Sequence, residues 1–248
     1  MKKITVVCVG NVCHDLMKFS VENTLKHTPD VEDVLIIADK PILDYGRFEQ
    51  LPEGFTRKDY QKLLIKDLNH MVQTEFSLIC QYDGMAVDNN QWTDDFFNYD
   101  YIGAVWPEKF NWIPQNSRVG NGGFSLRSKK LLEALQDSQV TYSDNEDVLI
   151  CQIFRKFLAD GYNIKYAPME LADRFSNEWN NPAGAVFGFH GIFNFPRYFD
   201  DHQSAELIAQ YDLNHWYQDQ LQNFLEYCET NNYIETLLQL EKNLRQNQ

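Results

Sequence analysis

Residues 76–84 read Phe-Ser-Leu-Ile-Cys-Gln-Tyr-Asp-Gly, a short apolar run that stops on a carboxylate. A run of this length, rich in Leu, Ile and aromatic residues and closed by glycine, predicts a buried strand. In open α/β sheets, ligands bind beyond the carboxyl ends of the strands. Asp83 is therefore placed at the lip of a cleft, with Gly84 turning the chain away. A carboxylate there suits a hard divalent cation, and such a cation suits a diphosphate. Asp-Gly also begins ordinary turns, and the nine residues alone leave both readings open.

Working outward, residues 4–9 form another apolar run, followed by Gly10-Asn11 and by apolar residues at helical spacing up to His27. Residues 34–38 predict a second strand ending at Asp39, the opening of an α/β sheet. The turn after the first strand is not G-x-G-x-x-G, so no dinucleotide fingerprint is present. Gly10 and Asn11 read either as the wall of a nucleotide pocket or as a plain tight turn. Residues 40–56, with two prolines and two glycines, read as loop, and residues 57–74 as a helix with Leu63, Leu64, Leu68 and Met71 on one face.

Downstream, residues 92–97 predict a short helix or turn and residues 99–104 a strand. Residues 106–118 hold Trp106, Trp112 and two prolines and read as a long aromatic loop over a site. Asn121, Gly122 and Gly123 belong to a segment with three glycines in four residues, which lets another group approach bare backbone. A sugar or acceptor fits there better than a phosphate, since the Gly-Lys-Ser/Thr ending of a P-loop is missing; a bulge or hairpin is the bland alternative. A strand at 124–127, ending on Arg127, and a helix at 129–135 follow. Asp144 is expected to cap the next helix, with Glu146 and Asp147 in its first turn, either as dipole-complementing acids or as a general base. A strand is expected at 163–167, then a polar stretch with Glu170, Asp173, Arg174 and Glu178. The apolar run at 186–191 ends on His190 between glycines, unshielded as a metal ligand needs. Helical stripes with Trp216, Leu221, Phe224 and Leu225, and later Ile234, Leu237, Leu238 and Leu240, cover the core on the first reading. A homo-oligomer contact is the second.

The 248 residues allow one large α/β domain or two small ones, and no Gly-, Ser- or Pro-rich linker divides them. Apolar residues make up 44% of the chain, enough for a real core. A net charge of −14 disfavours nucleic acid and anionic membranes, which need clustered positive charge. No run reaches the length of an integral membrane segment, and the N-terminus lacks a signal-peptide cleavage pattern. The five cysteines show no C-x-x-C spacing, and Cys8 and Cys80 sit inside apolar strands. A reduced, cytoplasmic setting fits, with secretion by another route left open.

Taken in order, Gln81-x-Asp83-Gly84, the segment 99–106, the segment 119–128, Glu146-Asp147 and Phe187-Gly-Phe-His190-Gly191 resemble the domain of unknown function 5672, a family grouped with GT-A type glycosyltransferases. The resemblance covers roughly residues 58–197. It implies an α/β fold, a GT-A-like mixed, mainly parallel sheet flanked by helices over residues 1–200. Residues 201–248 would form a C-terminal helical extension on the same domain. It also implies a nucleotide-sugar donor, expected to be a UDP-sugar, a glycan or other hydroxyl acceptor, and Mn2+ or Mg2+ held by a D-x-D motif. Here that motif reads Gln81-Tyr82-Asp83, so the second carboxylate is kept and the first is an amide. Asp83 and His190 are then the metal ligands, and Gly10, Asn11, Gln81, Asp83 and Arg127 face the donor. Trp106, Trp112, Asn121, Gly122 and Gly123 face the acceptor, and Asp147, with Glu146, supplies the base of an inverting transfer. The rival expectation is a non-catalytic nucleotide-sugar or carbohydrate-binding protein on a degenerate transferase fold, for which Gln81 is the motive. A sugar nucleotidyltransferase is weaker, because no basic glycine-rich loop follows the first strand.

Overall fold

A computed structural model describes residues 2–211 and 218–246. The strands are β1 (Ile4–Gly10), β2 (Val31–Ala38), β3 (Arg47–Gln50), β4 (Phe76–Cys80), β5 (Gly84–Ala86), β6 (Tyr101–Gly103), β7 (Phe124–Ser128), β8 (Ser176–Asn177) and β9 (Gly188–His190). Six of them form one sheet in the order β3-β2-β1-β4-β7-β6. The first four run parallel, and β7 runs antiparallel between β4 and β6. This is the mixed, mainly parallel sheet expected. β1 lies inside it because Ile-Thr-Val-Val-Cys-Val is β-branched and apolar on both faces, as a strand covered on both sides requires. Val6 is in register with Val34 on one side and Leu78 on the other.

The helix His14–His27 crosses from β1 to β2 and buries Leu16, Met17, Ser20, Val21 and Thr24 along one face. Ser20 Oγ sits 2.8 Å from the Gln81 carbonyl and 2.7 Å from the Gly84 carbonyl, and so anchors the turn that follows β4. A second sheet, β5-β9-β8, lies beyond that turn, with β5 antiparallel to β9 and β8 parallel to it. Leu207, Ile208, Phe224, Cys228 and Leu240 of the C-terminal helices share one core with Leu16, Met85 and Phe189.

Several expected bounds move. β4 ends at Cys80, and Gly84 opens β5 instead of releasing the chain, so Asp83 lies in the turn between two sheets. The stretch expected as loop contains β3, a fully exposed edge strand held to β2 by backbone pairing. The helix at 57–74 is interrupted by a π-helical turn, Leu63–Asp67, and ends at Met71. The strand expected at 163–167 reduces to a single bridge between Tyr101 and Tyr166, because Asn163, at φ 53°, closes the helix Arg155–Tyr162 in the left-handed region. Asn145, not Asp144, is the residue before the helix turn Glu146–Val148, and Asp144 accepts the Asn145 N–H at 2.7 Å. Trp216 lies outside the described residues.

Candidate active site

A cavity of about 720 Å³ opens at the carboxyl ends of β1 and β4. Gly10 and Asn11 line it from β1, Gln81 and Asp83 from the turn after β4, and Asn121, Gly122 and Gly123 from the loop before β7. Trp106, Trp112, Glu146, Asp147 and His190 complete the set of expected residues on its wall. Its volume is in the range of small-molecule sites, roughly 300–1,000 Å³.

The pairing of β5 with β9 sets Gly84 opposite His190 and so brings Asp83 beside the imidazole. Asp83 Oδ1 lies 3.3 Å from His190 Nε2 and makes no hydrogen bond, although it is buried. Gln81 Oε1 is 3.1 Å from the same nitrogen, and the Gln81 amide N–H donates to the Tyr60 hydroxyl at 2.6 Å. On the other side of the ring, Nδ1 faces Glu178 Oε1 at 3.0 Å and the Asn121 amide at 3.2 Å. Burial pulls the imidazole pKa down, but Asp83 and Glu178 outweigh it and hold it well above its ordinary range. Among the described residues no three His, Cys, Asp or Glu side chains form a metal-binding group. Two protein ligands do suit an ion that takes its remaining oxygens from phosphates and water. Their 3.3 Å separation is close to the roughly 3 Å between adjacent ligands of an octahedral ion. Asp83 Oδ1 supplies an oxygen with no other partner, and Glu178 supplies the carboxylate that orients a ligating histidine through its second nitrogen.

Beside the glycine loop, the two adjacent acids differ. Glu146 is buried and accepts from Arg127 Nη2 at 3.1 Å. Asp147 meets backbone only: Gly122 N–H donates to Oδ2 at 3.2 Å and Val148 N–H to Oδ1 at 2.7 Å. Burial, with the Glu146 charge next, pushes its pKa up to about 7. A carboxylate poised there takes a proton from a hydroxyl more readily than an ordinary aspartate.

Arg127, expected at the donor, is fully buried and does not line the cavity. β7 lies between β4 and the edge strand β6, and the side chain runs under the glycine loop, with Nε on Ser125 Oγ at 3.1 Å and the guanidinium 5.6 Å from the Tyr101 ring. The glycines on this wall are also approached closely from within the protein. A Cβ on Gly122 would land on Glu146, one on Gly123 on the His190 ring, and one on Gly120 on the Trp106 indole. The absent side chains thus make room for the protein's own groups, while Gly122 and Gly123 keep their place on the cavity wall. The 106–118 loop winds around a buried guanidinium: Arg118 donates to the carbonyls of Pro107 at 2.6 Å and Ile113 at 3.1 Å. Trp106 is buried beneath this loop and Trp112 is 55% exposed on it.

Sequence reasoning gave no role to Arg57, Tyr60, Asn145, Glu178 or Trp179, all on the cavity wall. Among the described wall residues Arg57 carries the only guanidinium, and its Nη2 donates to Asn145 Oδ1 at 2.6 Å. Glu178 stood out only as part of a polar stretch.

No curated protein matches the chain. Among solved structures, a glycosyltransferase involved in the glycosylation of the major capsid of PBCV-1 is 12% identical at a TM-score of 0.48, covering 76% of this chain and 92% of that one. Glucosyl-3-phosphoglycerate synthase from Mycobacterium tuberculosis, solved with Mn2+ and UDP-glucose, is 11% identical at a TM-score of 0.45, covering 67% and 68%. A further mycobacterial protein is 12% identical at a TM-score of 0.43, and the chain spans 62% of its length. A mixed, mainly parallel sheet flanked by helices is what the chain itself displays. The family described as protein of unknown function (DUF5672) matches residues 47–190, more than half of the sequence, and the chain belongs to that family.

Proposed function

We propose that the protein is a hexosyltransferase-like glycosyltransferase that moves a sugar from a nucleoside diphosphate sugar, with UDP as the nucleotide, to a hydroxyl of a glycan or similar acceptor. The observation that carries this reading is the convergence of the Asp83–His190 pair and Asp147 on one cavity at the carboxyl ends of the strands. Asp83 and His190 would hold Mn2+ or Mg2+, which supplies Lewis-acid neutralisation of the departing diphosphate. Asp147 accepts the proton of the acceptor hydroxyl. The freed oxygen bonds to the anomeric carbon from the face opposite the diphosphate, the bond from that carbon to the diphosphate oxygen breaks, and the configuration inverts. Arg57, not Arg127, is the guanidinium within reach of the phosphates, and Trp112 offers an exposed ring for a sugar to stack on. Residues 1–200 form the transferase unit in this reading, in the cytoplasm. A homo-oligomer contact falls on Ile234 and Leu238, which are 56% and 61% exposed. Among the described residues no helix is long and apolar enough to cross a membrane.

The test is a thermal-shift screen of nucleoside diphosphates and nucleotide sugars with and without Mn2+, followed by hydrolysis and transfer assays. A ligand at a hundred times its Kd stabilises by about 2.7 kcal/mol, a rise of roughly 5–11 °C for a chain of this size. Absence of any nucleotide response overturns the reading. A response without turnover favours the binding-protein alternative. That alternative draws support from Gln81, whose amide is already engaged by Tyr60 and His190.

A further inference from the structure

Beside the main cavity lies a smaller one of about 260 Å³, and Glu178, Trp179 and Phe193 line both. Its far wall is the helix Gln218–Asn231, from which Asn223, Glu226, Tyr227 and Thr230 reach the space. Arg197 closes one side, with its guanidinium 4.5 Å from the centre of the Tyr227 ring. Trp179 is held in place edge-on to Phe110, with ring centres 5.8 Å apart, and against Phe193 at 5.4 Å. The space therefore has three aromatic rings, Trp179, Phe193 and Tyr227, and a rim of amide and hydroxyl groups.

Amide and hydroxyl groups both donate and accept hydrogen bonds, as sugar hydroxyls do. An aromatic ring covers the apolar C–H face of a pyranose while leaving its polar edge free. The lining holds one arginine against two glutamates, Glu178 and Glu226, so the cavity has no surplus of positive charge to select a phosphate or carboxylate. Its volume falls below the roughly 300–1,000 Å³ of sites for whole drug-sized ligands, which suits a single ring and is too small for a nucleotide sugar.

We propose that this second cavity is a saccharide subsite, holding an uncharged sugar ring of an oligosaccharide acceptor whose reacting end occupies the main cavity. The proposal rests on the transferase reading above and names the acceptor class. Oligosaccharides are then preferred to monosaccharides, because a single sugar cannot fill both spaces.

The test is an array of neutral hexose and N-acetylhexosamine oligosaccharides, with sialylated and sulfated glycans beside them. It is probed with the full chain, with the double variant Asn223→Ala/Thr230→Ala, and with Tyr227→Ala. The wild type is expected to bind neutral oligosaccharides, and each variant to lose at least fivefold of that signal. Asn223 and Thr230 stand at the surface of the helix, so the double variant is expected to keep the wild-type melting temperature and remains informative should Tyr227→Ala unfold. Equal binding by wild type and the double variant overturns the subsite, as does binding confined to charged glycans. So does the absence of glycan binding by a wild type that responds to UDP. A wild type that gives the expected glycan pattern with no response to UDP supports the subsite and overturns the transferase reading instead.

Discussion

Asp83 and Glu178 flank one imidazole at 3.3 and 3.0 Å, whereas Glu146 and Asp147, beside the same glycine loop of the cavity, have one guanidinium near them, which touches only Glu146. The first cluster is a set of oxygens arranged around the two ring nitrogens of His190, with one buried oxygen left without a hydrogen bond. The second is a buried ion pair with a carboxylate beside it that has backbone partners alone, and that carboxylate is the one pushed up to about 7. The difference teaches that the nearest cation, more than the residue type, separates a cation-binding acid from a structural acid and from a proton acceptor. Neighbouring acids in sequence, Glu146 and Asp147, end in unlike roles because only one of them reaches Arg127.

The largest effect that tests this contrast is expected at Asp83. Asp83→Ala removes the oxygen of the first cluster and should abolish the Mn2+-dependent stabilisation by UDP. It should also lower transfer on the order of a thousandfold, several kcal/mol of transition-state charge stabilisation. A variant that keeps its metal response erases the distinction between the two clusters. Next is Arg127→Met, which leaves Glu146 buried without its partner and should cost roughly 3–5 kcal/mol in urea denaturation. Adding Glu146→Leu should recover most of that loss, because no unpaired charge then remains. If the double variant is no more stable than the single, the pair is not the structural unit claimed.

Asp147→Asn comes third, with kcat/KM falling roughly a hundredfold or more if this side chain is the base. In the wild type, kcat/KM should climb about tenfold per pH unit and level off above about 7, as Asp147 ionises. The asparagine variant should lose that limb. The stability sign runs the other way. A carboxyl raised in the folded state favours folding while it is protonated, and that contribution fades as pH rises from about 4 towards 7. The wild type should therefore lose melting temperature across that window relative to Asp147→Asn.

The parallel half of the sheet was legible because β1 and β4 are apolar runs whose burial on both faces erases alternation. β3 was not, since Arg47, Phe48, Glu49 and Gln50 are all exposed, and its hold on β2 is backbone pairing with an ion pair from Arg47 to Asp33. The meeting of Asp83 and His190, 107 positions apart, was what the family resemblance implied, and the β5–β9 register supplies the reason for it. Glu178 was beyond reach, because its position on the ring depends on β8 pairing with β9, a contact with no local pattern. Arg127 is expected at the donor because sequence shows a basic residue after a glycine loop and hides that its strand lies between β4 and β6, with the side chain buried. The glycines announced close approach, but composition does not name what approaches.

That last point sets the smallest prediction. At Gly123 a methyl group would meet the His190 ring, and the loop cannot simply back away, because the Gly123 carbonyl accepts the Gln81 N–H at 2.9 Å. Gly123→Ala should therefore displace the imidazole or break the Gln81 turn, an overpacking cost of about 1–3 kcal/mol that lowers the melting temperature by roughly 2–12 °C. Gly184, where a Cβ meets nothing within 4 Å, is the matched control. Gly184→Ala should leave the melting temperature within about a degree or two, as surface substitutions away from packed features do. Should the two variants behave alike, His190 is not fixed over the loop. The two clusters then no longer differ in the way their distances imply.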